Sequence, residues 1–141
     1  MQRLSWVTLC IVATAPLFGC NSSGNSEVTG KITRTDGQAV TGGRITFTSQ
    51  NPPVSASSRI APDGSYELSS VEPGDGAPAG RYQVTIVSKV SSAGGDDRSG
   101  RSIATSKSLV HEKYADLRTS ELTAEVNPGA NSIDFEVDPP K

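Results

Sequence analysis

The chain has 141 residues, with 13 Lys and Arg against 15 Asp and Glu, a net charge of −2. That balance excludes the electrostatic footprint of a nucleic-acid binder or of a protein held to anionic lipid by charge. Gly, Pro, Ser and Thr are abundant while aromatic residues make up 5%, a composition of strands and turns with room for long polar loops.

Met1-Gln2-Arg3 is a short positive start, followed by the apolar run Leu4 to Phe18. That run is fifteen residues long, short of the roughly 20 that cross a bilayer core. Pro16 and Gly19 break helix at its end. With a small residue, Gly19, beside the scissile bond, residues 1–19 read as an export signal that is removed. An ordinary secretory signal with an incidental cysteine is one reading of these residues. The tetrad Leu17-Phe18-Gly19-Cys20, however, resembles the bacterial lipobox. The resemblance implies cleavage between Gly19 and Cys20, a diacylglyceryl group on the Cys20 sulfur and an acylated Cys20 amine. The protein is then expected to be a lipoprotein held to membrane lipid, on the periplasmic face or at the outer membrane or cell surface.

The two cysteines agree with that expectation. Cys10 leaves with the signal, and acylation consumes Cys20. No disulfide, thiolate metal site or cysteine nucleophile then remains. Loss of Arg3 leaves 12 basic against 15 acidic residues. Asn21 to Ser26 is polar and small-sided, the composition of a flexible tether, so residues 20–26 read as the lipidated cysteine and its linker. Residues 27–138 are long enough for one core, with 139–141 as a tail.

Within that domain, apolar residues recur at every second position. The runs are Val28-Gly30-Ile32, Ile45-Phe47, Tyr66-Leu68, Tyr82-Val84-Ile86, Leu122-Ala124-Val126 and Ile133-Phe135-Val137, with Val54 to Ile60 as a weaker candidate. Turn residues separate them: Asp36-Gly37, Gly42-Gly43, Pro62-Asp63-Gly64, Pro73-Gly74, Pro78-Ala79-Gly80 and Asn127-Pro128-Gly129. Of these, Asp63-Gly64 is the strongest hairpin signal, because Asp and Gly accept positive φ. No convincing helical period follows the signal. The expected fold is all-β, an antiparallel β-sandwich of about seven short strands.

Five segments carry a family pattern. Val28-Thr29-Gly30-Lys31-Ile32, Asp36-Gly37-Gln38-Ala39-Val40, Gly43-Arg44-Ile45-Thr46-Phe47, Asp63-Gly64-Ser65-Tyr66-Glu67-Leu68 and Pro78-Ala79-Gly80-Arg81-Tyr82-Gln83-Val84 resemble the carboxypeptidase-regulatory-like, or transthyretin-like, β-sandwich. Ala39 stands where that pattern usually has Pro. Together with the lipobox, the later segments Lys113-Tyr114, Thr119 to Thr123 and Gly129-Ala130-Asn131 resemble small exported lipoproteins of planctomycete-type bacteria. These are turn and core motifs, so the resemblance implies a fold and no active site.

Candidate chemistry is sparse. His111 is the single histidine, and it lacks the second histidine four residues on that a zinc hydrolase helix carries. No G-x-S-x-G elbow accompanies it, so His111 reads as a solvated loop residue, and neither metal nor cofactor is expected. Tyr66 and Tyr82 are expected to place their rings in the core with hydroxyls at its edge. Ala93 to Ser108 reads as a disordered insertion between strands. Its Asp96, Asp97 and Arg98 are the candidate contact residues. Two function classes follow: a non-enzymatic structural or protein-interaction module at the cell envelope, or a module binding an envelope polymer or carbohydrate through loops at one end. Exposed Tyr66, Tyr82 and Tyr114 would favour the second, and buried tyrosines the first.

Overall fold

Alternation along Arg44–Gln50 and Gly80–Val87 sends every second side chain to one face. The fold buries that face: Ile45, Phe47, Tyr82, Val84 and Ile86 are all core residues. The computed structural model describes residues 24–96, 99 and 102–141. The strands are β1 (Asn25–Ser26), β2 (Val28–Arg34), β3 (Arg44–Gln50), β4 (Pro53–Arg59), β5 (Ser65–Glu67), β6 (Ala77–Pro78), β7 (Gly80–Val87), β8 (Lys89–Asp96), β9 (Ser102–Ser108), β10 (Leu122–Val126), β11 (Asn131–Ser132) and β12 (Phe135–Val137). A single 3-10 turn, Glu112–Ala115, precedes β10 among the described residues.

Two sheets form the sandwich. One runs β10-β7-β3-β4 and is antiparallel throughout. The other centres on β2, with β5 on one side and β11 and β12 on the other. The expected runs are thus β2, β3, β4, β5, β7, β10 and the β11–β12 pair. Between the sheets, Phe47 packs against Tyr66, Tyr82 and Phe135 at centroid distances of 6.2, 5.9 and 5.9 Å. Such offset and edge contacts add about 0.5–1.5 kcal/mol each beyond burial. Gly30 lets the second sheet close: a Cβ there would sit 1.8 Å from the Ile133 carbonyl oxygen.

The expected all-β sandwich is present, and three other expectations need correction. Within the sandwich β11 and β12 run parallel to β2, while the other pairings are antiparallel. The chain leaves β10 in one sheet and reverses into the other, which lands it in the direction of β2. Asp63-Gly64 does make a tight turn, with Gly64 at φ +85° and its N–H donating to the Ala61 carbonyl. Yet that turn carries the chain from β4 in one sheet to β5 in the other, where β5 pairs with β2. The tether is shorter than expected. Asn25 and Ser26 pair with Pro78 and Ala77, and Ser26 is buried. Lastly, the Ala93–Ser108 insertion is not an unstructured loop, since β8 and β9 pair antiparallel from Lys89↔Ser108 to Asp96↔Ser102 with a register shift between Ala93 and Asp96. Backbone pairing needs no apolar side chain, so the polar composition there misleads.

Candidate interaction surface

The two ends of the sandwich are chemically different. At the end where the described chain begins, β1 lies against β6, just before the start of β7. Asp75 organises the adjoining loop. Its carboxylate accepts from the backbone N–H groups of Ser70, Val71 and Glu72 and from the Asn25 amide. Burial pushes the Asp75 carboxyl up, but these hydrogen bonds outweigh it and hold the group below the usual carboxylate range. On the outer face at this end, Arg81 stands opposite Glu125, 3.9 Å away, beside a polar groove that also includes Thr48, Gln83 and Thr123.

The far end of the same face is cationic. Arg44 stands directly opposite Arg59 on β4 and opposite Val87 on β7. Lys89 follows Val87 by two residues, which keeps it on the same side where the strand runs on into β8. These residues, with Gly43 and Ile60, line an open groove of about 480 Å³. The groove floor is fixed by the Ile60 N–H, which donates to the Gly43 carbonyl at 3.1 Å. Arg44 donates to the Ser57 hydroxyl at 3.1 Å. Among the described residues no carboxylate pairs with Arg44, Arg59 or Lys89. Asp36, Asp116 and Asp138 are engaged elsewhere, with Arg34, Arg118 and Lys113. Glu112 shares a neighbouring cavity with Lys89 without forming an ion pair, as Glu67 does with Arg59.

His111 is half-buried rather than solvated, and its Nδ1 accepts the Lys113 N–H at 3.1 Å to start the 3-10 turn. Its own N–H donates to the Asp138 carbonyl. The Lys113 ammonium reaches Asp138 at 2.6 Å, and the Tyr114 hydroxyl donates to the same carboxylate at 3.0 Å. The Lys113 ammonium, and after it the Tyr114 hydroxyl, holds the Asp138 carboxyl below its usual range. This cluster clips the turn to the end of β12. It is occupied with its own members.

Tyr66, Tyr82 and Tyr114 retain 4%, 3% and 5% of their exposure, so none offers a ring to a ligand. Their hydroxyls sit at the core's edge, Tyr66 donating to Ile133 and Tyr82 to Pro78. Burial pushes both phenols up. Of the expected site residues, Gly19, Cys20, Asp97 and Arg98 lie outside the described residues, and Asp96 ends β8. Among the described residues, no group of three or more His, Cys, Asp or Glu is placed to hold a metal. None of their helices is long and apolar enough to cross a membrane. Sequence reading missed Arg44, Arg59 and Lys89. The available signal was the short Asn51-Pro52 connection, which pairs Gln50 with Pro53 and so sets Arg44 against Arg59.

No family model and no curated protein matches the chain. Among solved structures, it is similar to the crystal structure of a DUF3823 family protein from Parabacteroides merdae, at 18% identity and a TM-score of 0.39. That likeness covers 81% of this chain and 46% of the other. A 9R-lipoxygenase from Cyanothece is similar at 10% identity and a TM-score of 0.38, over 93% of this chain and 18% of that one. The chain therefore spans under half the length of either protein. At these scores neither likeness bears on function.

Proposed function

We propose that the protein is a non-enzymatic, lipid-anchored β-sandwich module, of the carboxypeptidase-regulatory-like kind, acting in structure or protein interaction at the cell envelope. The observation that carries this reading is the apolar segment ending in Leu17-Phe18-Gly19-Cys20, only four residues before β1. Acylation at Cys20 would supply the two hydrophobic signals that stable anchoring requires. With Asn25 and Ser26 inside the fold, the remaining link spans about 15 Å at most. The body then sits close to the membrane with its β1 end toward it. Burial of all three tyrosines favours the protein-interaction reading over a carbohydrate module that stacks sugars on aromatic rings.

The test is fractionation and mass analysis of the full-length protein expressed with a lipoprotein-processing pathway. Wild type is expected in the membrane fraction, cleaved before Cys20 and carrying acyl mass there. Cys20→Ala is expected to accumulate as an uncleaved or mis-sorted precursor without stable attachment. Wild-type protein in the soluble fraction with no added mass at Cys20 would overturn the reading.

A further inference from the structure

We propose that the cationic groove formed by Arg44, Arg59 and Lys89 is a docking surface for an extended acidic segment of a partner protein. The inference deepens the interaction reading above, and its membrane-distal orientation rests on the lipid anchor.

Like charges directly opposite each other across a strand pair destabilise a sheet. Arg44 and Arg59 hold that arrangement on the outer face. Lys89 adds a third positive charge to the same groove. The mature chain is nevertheless acidic, with 12 basic against 15 acidic residues after residue 19. The patch is therefore a local reversal of the molecule's own charge, and neither Glu112 nor Glu67, which share cavities with Lys89 and Arg59, forms an ion pair with it. A ligand bringing two or more carboxylates would relieve the repulsion and satisfy the three cations together.

Position excludes the anchoring membrane as the source of those anions. The β1 end adjoins the start of β7, where Gly80 pairs with Val126, while Arg44 pairs with Val87 at the other end of β7. Eight strand residues separate the two ends by about 25 Å. Surface chemistry then separates protein from glycan. No tyrosine ring is exposed for stacking. Instead Val87, 41% exposed, lies beside Arg44 and two residues before Lys89 and offers an aliphatic contact. An extended peptide with an acidic residue at every second position turns those carboxylates to one face, toward the cations, with their aliphatic stems against Val87.

The probe is a fluorescein-labelled peptide of alternating Glu and Val, titrated by anisotropy into the full chain in neutral detergent. Binding is expected, weakening as salt screens the charges. Arg44→Gln/Arg59→Gln is expected to bind about tenfold more weakly, as the loss of two exposed ion pairs implies. Lys89→Gln should bind about threefold more weakly on the same scale. Arg59→Glu should abolish binding while the melting temperature holds or rises, because it places opposite charges across β3 and β4. A merely structural role would instead lower that temperature. Equal binding by wild type and all these variants would overturn the proposal. So would tighter Arg44- and Arg59-dependent binding to polygalacturonate, to phosphatidylglycerol vesicles or to a second copy of the chain than to the peptide. A wild-type chain that is soluble and unacylated yet binds the peptide through Arg44 and Arg59 would overturn the anchor reading and leave the docking surface standing.

Discussion

At the β1 end, polar groups satisfy one another: Asp75 accepts four hydrogen bonds and Arg81 has Glu125. At the far end of the same sandwich, Arg44 faces Arg59 and neither meets a carboxylate among the described residues. The difference separates a region shaped by its own folding from a region whose chemistry looks outward. The backbone is drawn close at both ends, at Gly76 against Ser26 and at Gly43 against Val87, while beyond Val87 the chain runs on into a separate two-stranded ribbon.

The largest effect should come from crowding the closed end. Gly76 has φ +74°, and a Cβ there would lie 1.9 Å from the Ser26 carbonyl oxygen. Gly76→Ala must both strain the backbone and push β1 off β6, for a combined cost of about 3 kcal/mol or more. Thermal unfolding of the variant against wild type measures it. A melting temperature within error of wild type would show that β1 does not hold the N-terminal end to the body.

Asp75 sharpens the comparison through pH. Its carboxyl is held below the usual carboxylate range in the fold, so the unfolded chain binds that proton more tightly. The stabilisation is fully present above the unfolded value, about 3.9. It is lost as pH falls through the lower folded value. Asp75→Asn keeps the shape but weakens the acceptor for Ser70, Val71 and Glu72, at a cost of about 1–3 kcal/mol near neutral pH. The gap between variant and wild type should narrow as pH falls below about 3.9. Asp63, Asp116 and Asp138 shift in the same direction, so the acid limb should flatten only in part. A gap that stays constant from neutral to acid would remove Asp75 from the account of this end.

How much of this was legible beforehand follows the same line. The runs around Phe47, Val84 and Val126 alternate strictly, so the core strands could be read directly. Strand β4 was weaker because Ser55, Ala56, Ser57 and Ser58 are small and contrast little. The ribbon was missed because Ser91-Ser92-Ala93-Gly94-Gly95 has no apolar period, while its pairing uses backbone groups every residue possesses. The cationic groove lay deeper still. Arg44 and Lys89 could be placed on outward positions, but their meeting depends on the register of β3 with β7. No short turn joins those two strands to set it.

The smallest expected effect is at the ribbon. Strands β8 and β9 form a sheet of their own. Its base is held to the body separately: the Leu109 N–H donates to the Ser88 carbonyl, the Ser88 hydroxyl donates to Gly42, and Val110 is buried. An isolated two-stranded hairpin is marginally stable in water, so the sandwich gains little from it. Replacing residues 94–100 with a short Gly-Ser link keeps Ser88, Lys89 and Val110 in place. Because closure entropy changes slowly with loop length, stability should move by about 1 kcal/mol or less. The same variant should still bind the acidic peptide, since Arg44, Arg59 and Lys89 remain. Retained stability with peptide binding lost would extend the docking surface into the ribbon. Failure to fold would make the ribbon part of the sandwich and remove the contrast between a closed end and an outward-facing one.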